Sequence, residues 1–494
     1  MAVARIDREA LGRRARWLVR AGALTAGLGA AACSADAVVV TPIIDVPVGD
    51  ADATAAPLDE IELKVAHAQS DRDLKSEAFA HGEPLEVPGV PFGDDLVVHM
   101  SGFVGASNVA YGRTCAFTVS PDAAPPTPHL FFSRSVKFAS TGIAPVSRTN
   151  GLGISYLGAA LLVGGRDLST TGTPLVTSVE RFDPLTGRLS VIGDVLPRDG
   201  AVSALVGTLP PRVVLIGGTW GGAGATFIEV LDDRRIDRLD SAEMARVDVT
   251  ATSLSDGRVV VIGGNEPGKP PMGDIDEIAP DGASYDVRKL ATVLAHPRSG
   301  HSATVLGDDP GAPILIAGGV DGAGTPIKVA ELFKPFNEDL ASPSTFAPTM
   351  NFPRSGHTAT LMPDGSVLFI GGLDALGQPV RTLELFSIDA GFVEVGELPM
   401  NAGVVDFTAT TLPDGRILLT GGRTAPGAPA LDSAFIARLD PLGGSVEVLP
   451  TDHMAVARAG HQAQVLCDGT ILISGGTAAQ FPAERYNPPP LGRR

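Results

Sequence analysis

A chain of 494 residues exceeds one ordinary domain unless it is a repeat array or a large barrel, and its 44% hydrophobic and 19% charged content argues against bulk disorder. The 59 glycines and 40 prolines follow no Gly-X-Y period, which favours many short strands joined by tight turns over helices. A formal charge of −18, with no polybasic run beyond the first 20 residues, argues against a nucleic-acid or anionic-membrane surface, because phosphate binding needs clustered Lys and Arg.

Residues 1–20 carry Arg5, Arg8, Arg13, Arg14, Arg16 and Arg20 and precede AGALTAGLGAAAC, an apolar run of small residues ending at Cys33. This pattern predicts an export signal over 1–32, too short to span a bilayer. Ala30-Ala31-Ala32-Cys33 resembles the lipobox of bacterial lipoproteins, which implies that Cys33 is lipidated and becomes the new N-terminus. Those motifs usually place Leu three residues before the Cys, whereas Leu28 stands five before it. An ordinary signal peptide is the alternative, and Arg13-Arg14 leaves twin-arginine export open. Loss of 1–32 would leave 32 basic against 54 acidic residues, a charge of −22 that favours solubility. The expected location is the cell envelope: outer membrane, periplasm or cell surface, with membrane contact only through the lipid.

Residues 33–58 read as a tether, with a first strand near Val38–Val46. Over 59–120, IELKVA, PLEVPGVPFGD, LVVHMSGFV and YGRTCAFTV alternate with period two between Gly and Pro. The phrase VPGVPFGDD and the strand spacing resemble the immunoglobulin-like sandwiches of exported bacterial proteins. PDAAPPTP opens a Pro-rich linker at 121–130. Cys115 and Cys467 have no metal-ligand spacing; a disulfide between them would tie the N-terminal region to the last of the repeats that follow, and the sequence leaves their pairing open.

From 131 to 490 the chain repeats. Gly-Gly doublets close apolar runs at 164–165, 217–218, 263–264, 318–319, 371–372, 421–422 and 475–476, at spacings of 53, 46, 55, 53, 50 and 54. Asp-Gly turns precede the last five except the fourth doublet, as in SDGRVVVIGG and PDGSVLFIGG. A third strand follows each variable loop (VERFDP, VAELFKP, TLELFSI, AERYNP), then a fourth. Four strands per ~50-residue unit with glycine doublets resembles the kelch repeat, which implies an all-β, seven-bladed β-propeller of the galactose-oxidase-like superfamily. The last repeat lacks a fourth strand and SRSVKFAS (133–140) is an orphan, so their pairing is expected to close the ring.

The stretch PRSGHTATLM (353–362) recurs and holds residue types that build active sites. Arg198, Arg246, Arg298, Arg354 and Arg458 align, and Glu331, Glu384 and Glu484 recur in the third strands, so pairing inside the scaffold is one reading. The other is a ligand site. The doublet loops and the R-x-G-H lead-ins share one end of the barrel of strands; there Arg298, His301, Arg354, His357, Arg458 and His461 would meet an acidic group and Trp220 would stack on a sugar or aromatic. Copper radical oxidases of the resembled superfamily need a Cys–Tyr cross-link, a second Tyr and two His; Tyr111, Tyr156, Tyr285 and Tyr486 have no adjacent His, so no copper or other cofactor is expected. No G-x-S-x-G, H-E-x-x-H or P-loop occurs. The function expected is binding of a protein or glycan partner, with no nucleic-acid role; a carbohydrate-active envelope enzyme working by acid–base chemistry on the same face is the alternative.

Overall fold

The computed structural model describes residues 37–47, 58–68, 70–79, 83–282, 284–336, 339–340, 348–440, 444–477 and 481–488. The predicted export segment and Cys33 lie outside them. The described chain is all-β, with strands in many small sheets and one three-residue 3₁₀ turn at Ala242–Met244.

Seven of the sheets are four-stranded and antiparallel, and we number them 1 to 7 from the doublet each contains. Their first strands are Leu152–Tyr156, Val202–Val206, Thr250–Ser253, Ser299–Val305, Thr358–Leu361, Thr408–Thr411 and Gln462–Val465. Each touches the first strand of the next sheet, and that of sheet 7 touches that of sheet 1, so the seven form a closed ring. Second strands such as Arg212–Ile216 and Val259–Ile262 are buried at every position, because a neighbouring sheet covers each face. That accounts for their unbroken apolar runs.

Each neighbouring pair of sheets shares one apolar cluster. Leu315, Ala317, Val367 and Phe369 join sheets 4 and 5, and Ala160, Phe182, Leu466 and Leu472 join sheets 1 and 7. At about 1.5–3 kcal/mol per fully buried large aliphatic or aromatic side chain, these seams are the main favourable contribution to folding.

Sheet 7 is completed from the other end of the repeat region. Lys137–Ser140 pairs antiparallel with Glu484–Asn487, in the register Lys137↔Asn487 to Ser140↔Glu484. Only half of the expected 133–140 strand takes part. Ser133–Arg134 pairs instead with Tyr111 and Ala110, and Val136, at φ 62°, turns the chain between the two partners.

The N-terminal part is a six-stranded sheet built on Glu60–His67, Ser70–Phe79, Gly93–Val104 and Ser107–Arg113. Ala37–Val40 pairs with Val87–Pro91, and its Val40 packs with Val87, Val90, Leu63 and Val98 in one core. Ile43–Asp45 pairs parallel with His129–Phe131, so strand structure extends into the stretch that reads as linker. The Cys115–Cys467 disulfide joins this part to sheet 7.

In the Asp-Gly turns Gly257, Gly365, Gly415 and Gly469 take positive φ, at 80–87°. The aspartates instead accept through their side chains: Asp256, Asp364, Asp414 and Asp468 each take the backbone N–H two residues on.

Candidate functional site

The recurring arginines face inward. Arg298, Arg354 and Arg458 are 0% exposed, and their guanidinium groups bond to Glu331, Glu384 and Glu484 at 2.7, 3.0 and 3.0 Å. Arg198 pairs with Glu229 at 2.6 Å and Arg246 with Asp276. Arg148, which was not among the arginines aligned from the sequence, pairs with Glu180. In every case Nη1 also donates to the carbonyl of the first doublet glycine of the same sheet, as Arg354 does to Gly371 at 3.2 Å. The five glutamates accept backbone N–H groups of the incoming loop, as Glu384 does from Asn351 and Phe352, whereas Asp276 accepts only from Arg246 among the described residues. Each Arg–Glu pair therefore ties first strand, doublet, third strand and connecting loop together. Burial pulls the guanidinium pKa down at Arg148, Arg198, Arg298, Arg354 and Arg458, and the paired carboxylate opposes it.

Sheet 6 does without the pair. Val404 takes the arginine position and Phe435 the carboxylate position, both inside the apolar cluster.

Two residues beyond the arginine position, which Val404 fills in sheet 6, the backbone is left-handed in all seven sheets: Asn150, Gly200, Asp248, Gly300, Gly356, Asp406 and Gly460 have φ of 50–70°. Glycine, Asn and Asp are the residues that tolerate this conformation. Gly300 N–H donates to Asp248, Gly356 to Gly300 and Gly460 to Asp406, stitching neighbouring sheets at the ring's mouth.

The histidines explain the doublets. A Cβ on Gly318 would lie 2.4 Å from His357 Cε1 of the next sheet, and one on Gly319 would lie 2.9 Å from His301 Cβ of its own. His301 and His461 lie likewise against Gly263 and Gly421, and Phe407 against Gly371. In sheets 3 to 6 the first glycine admits the next sheet's ring, and the second admits the Cβ and backbone of its own sheet's first strand or lead-in. Nε2 of His301 meets Thr250 Oγ1 at 3.1 Å, that of His357 meets Ser302 Oγ at 2.9 Å, and that of His461 meets Thr420 Oγ1 at 2.8 Å. Burial, then the neighbouring arginine, pushes each histidine down to about 3. They are neutral at ordinary pH, and each points to a different neighbouring sheet.

Trp220 stands apart, 51% exposed on the Thr219–Trp220/Ala223–Gly224 hairpin, with its ring edge on Phe227 at 6.4 Å. Leu376, Met400 and Phe481, on other loops at the doublet end, are 82%, 77% and 44% exposed. Of the seven side chains singled out in the sequence, Arg298, His301, Arg354, Arg458 and His461 are buried in the scaffold of sheets 4, 5 and 7, His357 is half-buried, and Trp220 is exposed.

No group of three or more His, Cys, Asp or Glu placed to hold a metal occurs among the described residues. Cys115 and Cys467 bond to each other, so neither can cross-link a tyrosine, while Tyr156 donates to the Pro211 carbonyl and Tyr285 accepts from Arg212.

No known family profile matches the sequence, and no curated protein matches it. Among solved structures, the fold is similar to that of a fungal alcohol oxidase of the AA5 family in complex with copper, at 17% identity and a TM-score of 0.51, over 71% of this chain and 76% of that one. That likeness shows a galactose-oxidase-like β fold.

Proposed function

We infer that residues 137–487 form a seven-bladed kelch-type β-propeller behind an immunoglobulin-like domain, and that it serves as a binding module for a protein or glycan partner. The closed ring of seven first strands and the sheet 7 closure support the blade count. The reading extends to export and to a lipid anchor at Cys33, which would hold the propeller at the envelope surface. Partner contact takes place at the doublet end.

One observation carries the choice of binding over catalysis. The arginines and histidines of the recurring lead-ins are locked into the scaffold as neutral histidines and paired arginines, while Trp220, Leu376 and Met400 stand exposed on the loops of that end. An acid–base enzyme on this face would have to work through exposed groups outside those lead-ins, such as His296 beside Glu331 and His453 beside Asp432.

Trp220 also supplies the assay, because it is the only Trp beyond the expected signal. Fluorescence titration against cell-wall glycans and acidic peptides should shift its emission, and Trp220→Ala should weaken the ligand found at least tenfold, as expected for an aromatic anchor. Turnover of any sugar in the same panel, unaffected by Trp220→Ala, would favour the enzyme reading instead.

A further inference from the structure

A second polar surface lies at the opposite end of the ring, where the N-terminal sheet meets sheets 6 and 7 across a cleft of about 480 Å³. That is within the range of small-molecule sites. One face of the N-terminal sheet carries Ile61, Leu63, Val65, Val98 and Met100 into the core. Its other face looks into the cleft. There the strand register sets two rows across three strands, Glu62–Ser101–Tyr111 and Lys64–His99–Arg113. Asp414, Asp468 and Asn487 line the opposite wall.

We propose that this cleft binds a sugar acid, with the carboxylate on Arg113 and the hydroxyls on the Tyr111 row. The choice follows from which charges already have partners. Lys64 lies 3.1 Å from Glu62 and 3.6 Å from Asp73. Asp414 takes Arg416, and Asp468 takes Arg485. Arg113 donates to the Ala68 carbonyl at 3.3 Å and has no carboxylate within ion-pair range among the described residues. In a chain of charge −18 that is a cation held back from its many possible partners. A planar guanidinium with unfilled donors matches a carboxylate in two-point contact. His99 Nδ1 and Tyr111 Oη, 2.5 Å apart, fix the hydroxyl beside it, and Phe103 offers an apolar surface for a ring.

The two walls are held at fixed separation. Cys115 stands two residues past Arg113, and its disulfide partner Cys467 adjoins Asp468. Asn487 Nδ2 donates to the Tyr111 carbonyl at 2.7 Å and to the Ser133 carbonyl at 3.1 Å. A site built this way loses little freedom on binding.

The test is calorimetric titration of the full chain with glucuronate, glucose and glucose 6-phosphate. Glucuronate should bind at least tenfold more tightly than either comparator, and Arg113→Gln should weaken it at least tenfold at an unchanged unfolding midpoint. Trp220→Ala should leave glucuronate affinity unchanged, which separates this site from the doublet end. If Arg113→Gln does not fold, Ser101→Tyr, which fills the cleft from the sheet's polar face, must abolish glucuronate binding. Absence of glucuronate binding, equal binding of glucose, tighter binding of the phosphate, or indifference to the cleft variant each overturns the proposal.

Discussion

Removing the carboxylate of Glu384 tests whether the arginine ring is scaffold. Glu384 is fully buried and accepts from Arg354 Nη2 at 3.0 Å, Asn351 N at 2.7 Å and Phe352 N at 3.3 Å. Glu384→Ala strands all three donors in a dry seam. Breaking a buried ion pair from one side costs about 3–5 kcal/mol. Arg354 would keep the carbonyls of Phe352, Gly371 and Thr382, so a loss of about 3–4 kcal/mol is expected. Sheet 6 supplies the control. Arg354→Val with Glu384→Phe copies Val404 and Phe435, and with no charge left unpaired it should fall within about 2 kcal/mol of the parent. Urea unfolding followed by Trp220 emission reads both. A loss below about 1 kcal/mol for Glu384→Ala, or a double variant worse than the single, would refute the bracing role.

The histidines predict the acid limb of stability. Their folded pKa of about 3 lies below the ordinary 6.5, so the unfolded chain binds protons that the folded chain does not, and stability is lost as pH falls from about 6.5 towards 3. Each histidine contributes a slope of about 1.4 kcal/mol per pH unit once well below 6.5. His357→Phe, which copies the Phe407 of sheet 6, should remove one such contribution and cost only about 1 kcal/mol at pH 7.5, checked by unfolding across that range. Gly318→Ala should destabilise by more than about 3 kcal/mol, since its φ is +66° and its Cβ would strike His357 Cε1 and the Arg354 carbonyl. Gly377→Ala, at φ +70° with nothing within 4 Å, should cost only about 1–2 kcal/mol in the same denaturation assay. Cys115→Ser should lower stability by roughly 3–5 kcal/mol, in the range usual for loss of a native disulfide, with the midpoint of the parent under reducing conditions falling to match.

The architecture was legible because it is written seven times. Doublets, apolar second strands and turn residues recur at a spacing that only a repeat array produces, and the orphan strand before the first repeat pointed to the closure that pairs Lys137 with Asn487. What the sequence could not display is side-chain direction. R-x-G-H reads equally well as a brace or as a site, and the difference lies in whether Glu384 stands under Arg354 or solvent does. Sheet 6 was the available signal: a repeat that replaces both members of the pair, Val404 and Phe435, with apolar residues shows what the other six pairs are for. The cleft left no such trace. Lys64, His99 and Arg113 are 35 and 14 residues apart, each in an ordinary alternating strand, and only the register of three strands lines them up.

Ring closure also sets the order in which the molecule can be made. Lys137–Ser140 leaves the ribosome some 350 residues before its partner Glu484–Asn487 exists, and Cys115 waits as long for Cys467. Through all of that synthesis the first sheet lacks the neighbour that covers Ala160 and Phe182. The nascent chain is an open arc with an apolar seam at each end, and only Glu484–Asn487 turns it into a ring without ends.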